Sequence, residues 1–236
     1  TIFIGDQANM PYGDRSREEI ISLTRDSVNF LLSKDVKIII FGCNTATAVA
    51  MSTIQKEIPL QIIGVVQSGA LAAARTTETK NVAVIGTNAT VDSHSYLKEI
   101  QYRDPEIKVS EFAQPKLAPL AEEDPDENIK NAVVSESLTP LKNADYDTLV
   151  LGCPHYPLMR DETVSVIKKK KKIVDPADQV AQYTYNVLRR DDLFAESTAP
   201  VKHDYYTTGE AKKFTEITRQ WMNDDTIVGH HVDAED

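Results

Sequence analysis

Two thiols are the residues of this chain best suited to chemistry. Cys43 and Cys153 are its only cysteines, 110 positions apart in a chain of 236 residues. Their surroundings match. The first lies in Lys37-Ile-Ile-Ile-Phe-Gly42-Cys43-Asn44-Thr45-Ala46-Thr47, the second in Thr148-Leu-Val-Leu-Gly152-Cys153-Pro154-His155-Tyr156-Pro157. Each is an apolar run, a glycine, a cysteine, and then small, polar or turn residues opening a helix. A thiolate is a base and a thiol an acid, so a pair of them could take a proton from a substrate and return one. Other uses of the same residues stay open. A cysteine at a strand end is often a small buried hydrophobe. A zinc site from Cys43, Cys153 and His155 would need a further ligand or water, and no Cys-x-x-Cys or His-x-x-x-His spacing supports one. The missing Cys-x-x-Cys also argues against a redox pair.

The elements that must position these thiols read as strands alternating with helices. Short apolar or β-branched runs recur at Ile2–Ile4, Lys37–Phe41, Gln61–Val66, Asn81–Ile85, Lys108–Phe112, Thr148–Leu151 and Lys172–Val174. Between them Ser16–Leu32, Ala46–Glu57, Val91–Tyr102 and Glu127–Lys142 have helical character. This alternation predicts βα units and parallel sheets, with the wholly apolar runs covered on both faces. In such sheets ligands bind beyond the carboxyl ends of the strands, where both Gly-Cys segments fall. A helix amino terminus there would lower a thiol pKa from its free value of about 8.5. Thr207 and Glu210 have capping-box spacing, and Phe214, Ile217 and Trp221 then share a helical face. The lysine run Lys168–Lys172 reads as a solvated helix end complementing the macrodipole, with an anion-binding patch as the alternative.

Composition bounds the possibilities. Hydrophobic residues make up 41 % and charged residues 26 %, with a net charge of −10. That supports a folded core and argues against a broad nucleic-acid-binding face. No signal peptide is apparent, and runs such as Ile38–Phe41 are too short to span a bilayer. The expectation is a soluble intracellular protein whose thiols stay reduced. The chain opens directly on the strand-like Thr1-Ile2-Phe3-Ile4-Gly5, with no Met or leading loop, which suggests that sequence lies upstream.

Taken together, Gly42-Cys-Asn-Thr-Ala-Thr47 and Gly152-Cys-Pro-His-Tyr-Pro157 resemble the two signature motifs of the bacterial glutamate racemases, within the aspartate/glutamate racemase superfamily. Further segments resemble that family in the same order: Gly5-Asp6 through Pro11-Tyr12-Gly13, Ile63-Gly64-Val65-Val66, Val84-Ile85-Gly86-Thr87, Ala118-Pro119-Leu120-Ala121-Glu122 and Tyr206-Thr207-Thr208-Gly209. The resemblance covers almost the whole chain. It implies two pseudo-symmetric parallel-sheet α/β domains with the active site in the cleft between them. The first would be residues 1–78 plus 175–236, carrying Cys43, and the second residues 79–174, carrying Cys153.

The implied activity is interconversion of L- and D-glutamate without pyridoxal phosphate, metal or nucleotide, supplying D-glutamate for peptidoglycan. The thiol matching Cys43 deprotonates the D-enantiomer and that matching Cys153 the L-enantiomer, with His155 assisting Cys153 and Glu122 as a site carboxylate. Pro11, Tyr12, Gly13, Asn44, Thr45, Thr87, Thr90, Pro154 and His155 fall at substrate-binding positions. A cytoplasmic homodimer with no nucleic-acid or membrane partner is implied as well. The chain departs from the family pattern in three places. Pro154 stands where Thr is usual, removing a hydroxyl and an N–H; Pro176 stands where Ser is frequent; and the opening strand ending in Asp-Ser-Gly is absent. The natural protein is therefore expected to be longer by one βα unit of roughly 30 residues, and the chain as written to be poorly stable and nearly inactive. Rival readings are a racemase acting on another amino acid, such as aspartate, and a non-catalytic relative used as a binding module.

Overall fold

The computed structural model describes residues 1–167, 171–195, 198 and 200–233. In chain order the elements are β1 (Ile2–Gly5), α1 (Arg17–Leu32), β2 (Ile39–Phe41), α2 (Asn44–Val49), α3 (Met51–Ile54), β3 (Ile62–Gly64), α4 (Val65–Thr76), β4 (Asn81–Gly86), α5 (Asn88–Asp92) and α6 (Ser95–Arg103). They continue with β5 (Lys108–Ala113), α7 (Leu117–Glu123), α8 (Glu127–Ser137), β6 (Thr148–Gly152), α9 (Arg160–Val166), β7 (Lys172–Val174), α10 (Pro176–Arg190), β8 (Asp204–Thr207), α11 (Ala211–Met222) and β9 (Gly229–His231).

Every strand pairing is parallel, as expected for βα units. The second half forms one sheet in the order β5-β4-β6-β7. After their polar first residues, Asn81 and Thr148, its central strands are apolar, as strands covered by helices on both faces are: β4 is buried from Val82 to Gly86 and β6 along its whole length. The first half contributes β1-β8-β9 and β2-β3, and β1 and β2 do not pair. Helix α4 joins the halves. Its Val66, Ala70 and Ala73 pack with Val82, Val84, Tyr96, Ile100 and Val150 of the second half, while its first residue, Val65, packs with Ile63, Val180 and Val187.

All seven strands read from the sequence are present, and α1 begins after Ser16 in a true capping box with Glu19. Several readings are corrected. The run Gln61–Val66 ends as a strand at Gly64, where α4 starts. The helix read over Val91–Tyr102 is two helices, parted where His94 takes a left-handed conformation, φ 52°. Ala46–Glu57 is likewise α2 and α3, parted at Ala50. The helix read over Glu127–Lys142 stops at Ser137 and becomes a 3-10 turn at Thr139–Asn143, since Pro140 cannot continue an α-helical ladder.

The capping box read at Thr207 and Glu210 does not form. Thr207 ends β8, and Glu210, the residue before α11, makes no side-chain cap. Thr207 Oγ1 instead accepts from the Gly209 N–H and donates to Gln7 Oε1. Strands β8 and β9 were missed because Asp-Tyr-Tyr-Thr and Gly-His-His carry no apolar signal. Of the lysine run, Lys168–Lys170 lie outside the described residues. Lys171 and Lys172 are engaged rather than solvated at a helix end: the Lys171 ammonium donates to the Tyr146 carbonyl, and that of Lys172 binds Glu78 at 2.6 Å and the Thr76 carbonyl at 3.0 Å.

Candidate active site

The Cys43 side is built at the carboxyl end of β2. Cys43 is the N-cap of α2, and its Sγ accepts from the Ala46 N–H at 3.5 Å. The helix-terminus effect expected from the sequence is therefore in place, since N–H groups at a helix start stabilise negative charge. Burial nevertheless outweighs it and pushes the Cys43 thiol up, with the Ala46 and Thr45 donors opposing. A shielded thiolate lacks the hydration that favours the charged form in water.

Around this thiol the two halves meet through hydroxyls. Thr45 Oγ1 lies 2.9 Å from Thr87 Oγ1 and 3.3 Å from Thr90 Oγ1. Thr87 also caps α5, accepting from the Thr90 N–H. The loop carrying Pro11, Tyr12 and Gly13 closes on the same place. A Cβ on Gly13 would sit 2.8 Å from Thr87 Cβ, so only glycine permits this approach. Tyr12 Oη donates to Asp6 Oδ2 at 2.5 Å, and Asp6 Oδ1 accepts from Asn9 Nδ2 and Thr208 Oγ1. Burial and the Asp6 carboxylate hold the Tyr12 phenol well above its ordinary value.

The Cys153 side is a chain of proton-transfer groups. Cys153 follows β6 and is 5 % exposed. Its Sγ lies 3.6 Å from His155 Nδ1, and His155 Nε2 lies 2.7 Å from Glu122 Oε1 on α7. A carboxylate can only accept, so Nε2 carries a proton, and with the ring neutral Nδ1 presents a lone pair to the thiol. The Trp221 ring on α11 packs edge-to-face with the His155 ring, the centroids 5.9 Å apart. Burial pushes the Cys153 thiol up to about 12, with the His155 N–H opposing and the charge of Cys43 adding to the rise.

The sequence reading of Cys153 needs one correction. It opens no α-helix directly: a 3-10 turn at Tyr156–Met159 intervenes and α9 starts only at Arg160. The expectation of a lowered thiol is reversed on both sides.

Most of the expected site residues are thus gathered into two linked groups. Tyr12, Gly13, Cys43, Asn44, Thr45, Thr87 and Thr90 form one, and Cys153, His155 and Glu122 the other. Pro11 and Pro154 are exposed, and no hydrogen bond among the described residues ties either to these groups. Reasoning from sequence overlooked Tyr96, which bonds to Asn44, and the cover that Trp221 gives His155. Neither carries a motif. Among the described residues no three His, Cys, Asp or Glu side chains converge as a metal-holding group.

Two parallel-sheet α/β halves, each with a cysteine at the carboxyl end of a strand, define a class of α/β proteins with paired strand-end thiols. The chain matches the Asp/Glu/Hydantoin racemase family over residues 1–184 and belongs to it. It is 94 % identical to a glutamate racemase of Lactobacillus johnsonii, over all of this chain and 89 % of that one. Among solved structures it resembles a glutamate racemase isoform from Bacillus anthracis, with TM-score 0.94 and 33 % identity, covering 99 % of this chain and 88 % of that one. It also resembles a glutamate racemase from Francisella tularensis in complex with D-glutamate, with TM-score 0.91 and 26 % identity over the same shares of the two chains.

Proposed function

We propose that the chain is a cofactor-independent glutamate racemase in which Cys43 and Cys153 exchange protons with opposite faces of the substrate α-carbon. The observation that supports the mechanism is a strand-end thiol in each half, each with its own polarising partners: backbone N–H groups of α2 for Cys43, and His155 with Glu122 for Cys153. From L-glutamate, Cys153 passes its proton to His155 Nδ1, and the imidazolium is held by Glu122. The Cys153 thiolate then takes the α-proton, and the Cys43 thiol donates its own to the other face. The negative charge ends on Cys43, and the reverse sequence converts D to L.

Tyr12, Asn44, Thr45, Thr87 and Thr90 supply the donors for the substrate carboxylates, with Pro11 and Gly13 shaping their loop. The loss of a hydroxyl and an N–H at Pro154 lowers activity. Closing the cleft on the substrate replaces water with these donors and brings the raised thiols within reach of proton transfer.

The domain division we propose is 1–78 plus 175–236 against 79–174. It is supported by β4–β7 pairing only with one another and by β1, β2, β3, β8 and β9 finding no partner among them. No helix among the described residues is long and apolar enough to cross a membrane. We place the enzyme in the cytoplasm as a homodimer that supplies D-glutamate for peptidoglycan, on the family resemblance.

The test is deuterium wash-in from heavy water on L- and D-glutamate, with aspartate alongside, for the natural chain and for Cys43→Ser and Cys153→Ser. The natural chain is expected to label and racemise glutamate. Each serine variant is expected to lose racemisation, because a hydroxyl is a far weaker acid than a thiol. Near-natural racemisation in either variant overturns the two-thiol mechanism. Preference for aspartate overturns the substrate.

A further inference from the structure

Tyr96 on α6 is fully buried, and nothing in its sequence context marks it. Its ring passes between the two halves. A Cβ on Gly69 of α4 would lie 2.9 Å from its Oη, and one on Gly152 of β6 would lie 3.2 Å from its Cε2. Two glycines, one of them directly before Cys153, thus leave room for the ring. Its hydroxyl donates to Asn44 Oδ1 at 2.6 Å. Asn44 follows Cys43 directly and is itself 3 % exposed. The neighbouring Ser95 Oγ donates to the Ala48 carbonyl at 3.2 Å, so α6 braces α2 at its backbone as well.

A side-chain amide presents one acceptor and one two-proton donor. The Tyr96 hydroxyl occupies the acceptor, which leaves Nδ2 as the free end, and among the described residues Nδ2 donates to no protein acceptor. If the ring alone mattered, phenylalanine would fill the space without the desolvation cost of a buried hydroxyl.

We propose that Tyr96 is a positioning residue that locks the Asn44 amide with Nδ2 toward the substrate carboxylate beside Cys43. This rests on the assignment of Asn44 as a substrate-binding residue. Without the hydroxyl the amide can turn over and present oxygen to the carboxylate, which weakens binding in ground state and transition state alike. The effect should therefore fall on KM rather than kcat.

The experiment is a two-residue cycle of Tyr96→Phe and Asn44→Ala, with KM and kcat measured for L- and D-glutamate and thermal melting in parallel. Tyr96→Phe should raise KM about five- to tenfold, the equivalent of one hydrogen bond, with kcat changed less than about twofold. In the Asn44→Ala background, where KM is already raised, the same change should add nothing. Replacing Tyr96 with para-fluorophenylalanine fills the hydroxyl volume without a donor. It should reproduce the KM effect and serves if Tyr96→Phe fails to fold. A natural KM in the folded Tyr96 variants, or an undiminished effect without the Asn44 amide, overturns the proposal. A natural KM in Asn44→Ala instead overturns the substrate-contact assignment on which it rests.

Discussion

Replacing Glu122 with glutamine tests the relay on the Cys153 side most directly. The substitution keeps shape and hydrogen-bonding capacity and removes one charge. In the structure Glu122 Oε1 lies 2.7 Å from His155 Nε2, with the two side chains 22 % and 17 % exposed. A hydrogen bond to a charged group contributes about 1.5–3 kcal/mol, and partial exposure puts this pair toward the lower end, about 1.5–2 kcal/mol. In the proposed mechanism the carboxylate matters most when His155 is an imidazolium, formed as Cys153 becomes the thiolate that draws off the α-proton. The loss therefore falls on that barrier, and kcat/KM should drop by about 10- to 30-fold.

The drop must be equal in both directions, since enantiomers have equal free energy and the equilibrium constant is fixed at unity. Direction shows instead in the isotope effects. With α-deuterated L-glutamate, the substrate deuteron leaves through Cys153, the step that has slowed, so the primary effect should grow. With α-deuterated D-glutamate it leaves through Cys43, no longer limiting, so the effect should shrink. The assay is racemisation followed by circular dichroism, with labelled and unlabelled substrates of each hand. Unchanged kcat/KM would refute the relay. A reduced kcat/KM with isotope effects that move alike in both directions would refute the assignment of the relay to Cys153.

Two further expectations follow from burial and packing. Both thiols are raised by burial, so ultraviolet titration of the ligand-free protein should find little thiolate at about pH 9, where an ordinary thiol of pKa about 8.5 is mostly ionised. A raised folded pKa means that the folded chain holds protons the unfolded chain has released. Stability should therefore fall as pH climbs from the ordinary thiol value toward the value of about 12 for Cys153; a thiolate step completed near neutral pH refutes this. The glycines of the two Gly-Cys motifs should also differ sharply. A Cβ on Gly152 would meet the Ile85 carbonyl oxygen at 2.6 Å, whereas one on Gly42 meets nothing within 4 Å. Gly152→Ala should cost about 3 kcal/mol and lower Tm by about 6–12 °C, while Gly42→Ala should change stability by no more than about 0.5 kcal/mol. Equal melting of the two variants would contradict this packing.

The sequence was most legible where a physical signal is local. Apolar strands covered on both faces, such as Val82–Ile85 and Leu149–Leu151, announce themselves by composition alone. The strand–Gly–Cys repeat led directly to both thiols. Strands β8 and β9 were illegible because they belong to a small three-stranded sheet and carry no continuous apolar run. The false capping box at Thr207 shows the limit of spacing arguments: the hydroxyl found a nearer N–H, at Gly209, and a tertiary partner, Gln7, 200 residues upstream in the sequence.

The reversed thiol shift has the same origin. Sequence places a cysteine at a helix start, and the expected donor is there at 3.5 Å. How much solvent the folded chain removes depends on residues brought in from other elements, such as Tyr12, which packs with Cys43 against the same core cluster. In the proposed mechanism, burial that disfavours a resting thiolate also keeps water from competing for the substrate's protons once it is bound. The raised resting pKa and the suitability of these thiols as a matched acid and base therefore arise from one arrangement. The local motif supplies the sulfur and its N–H donors, and the meeting of the two halves sets the environment in which that sulfur gains or loses its proton.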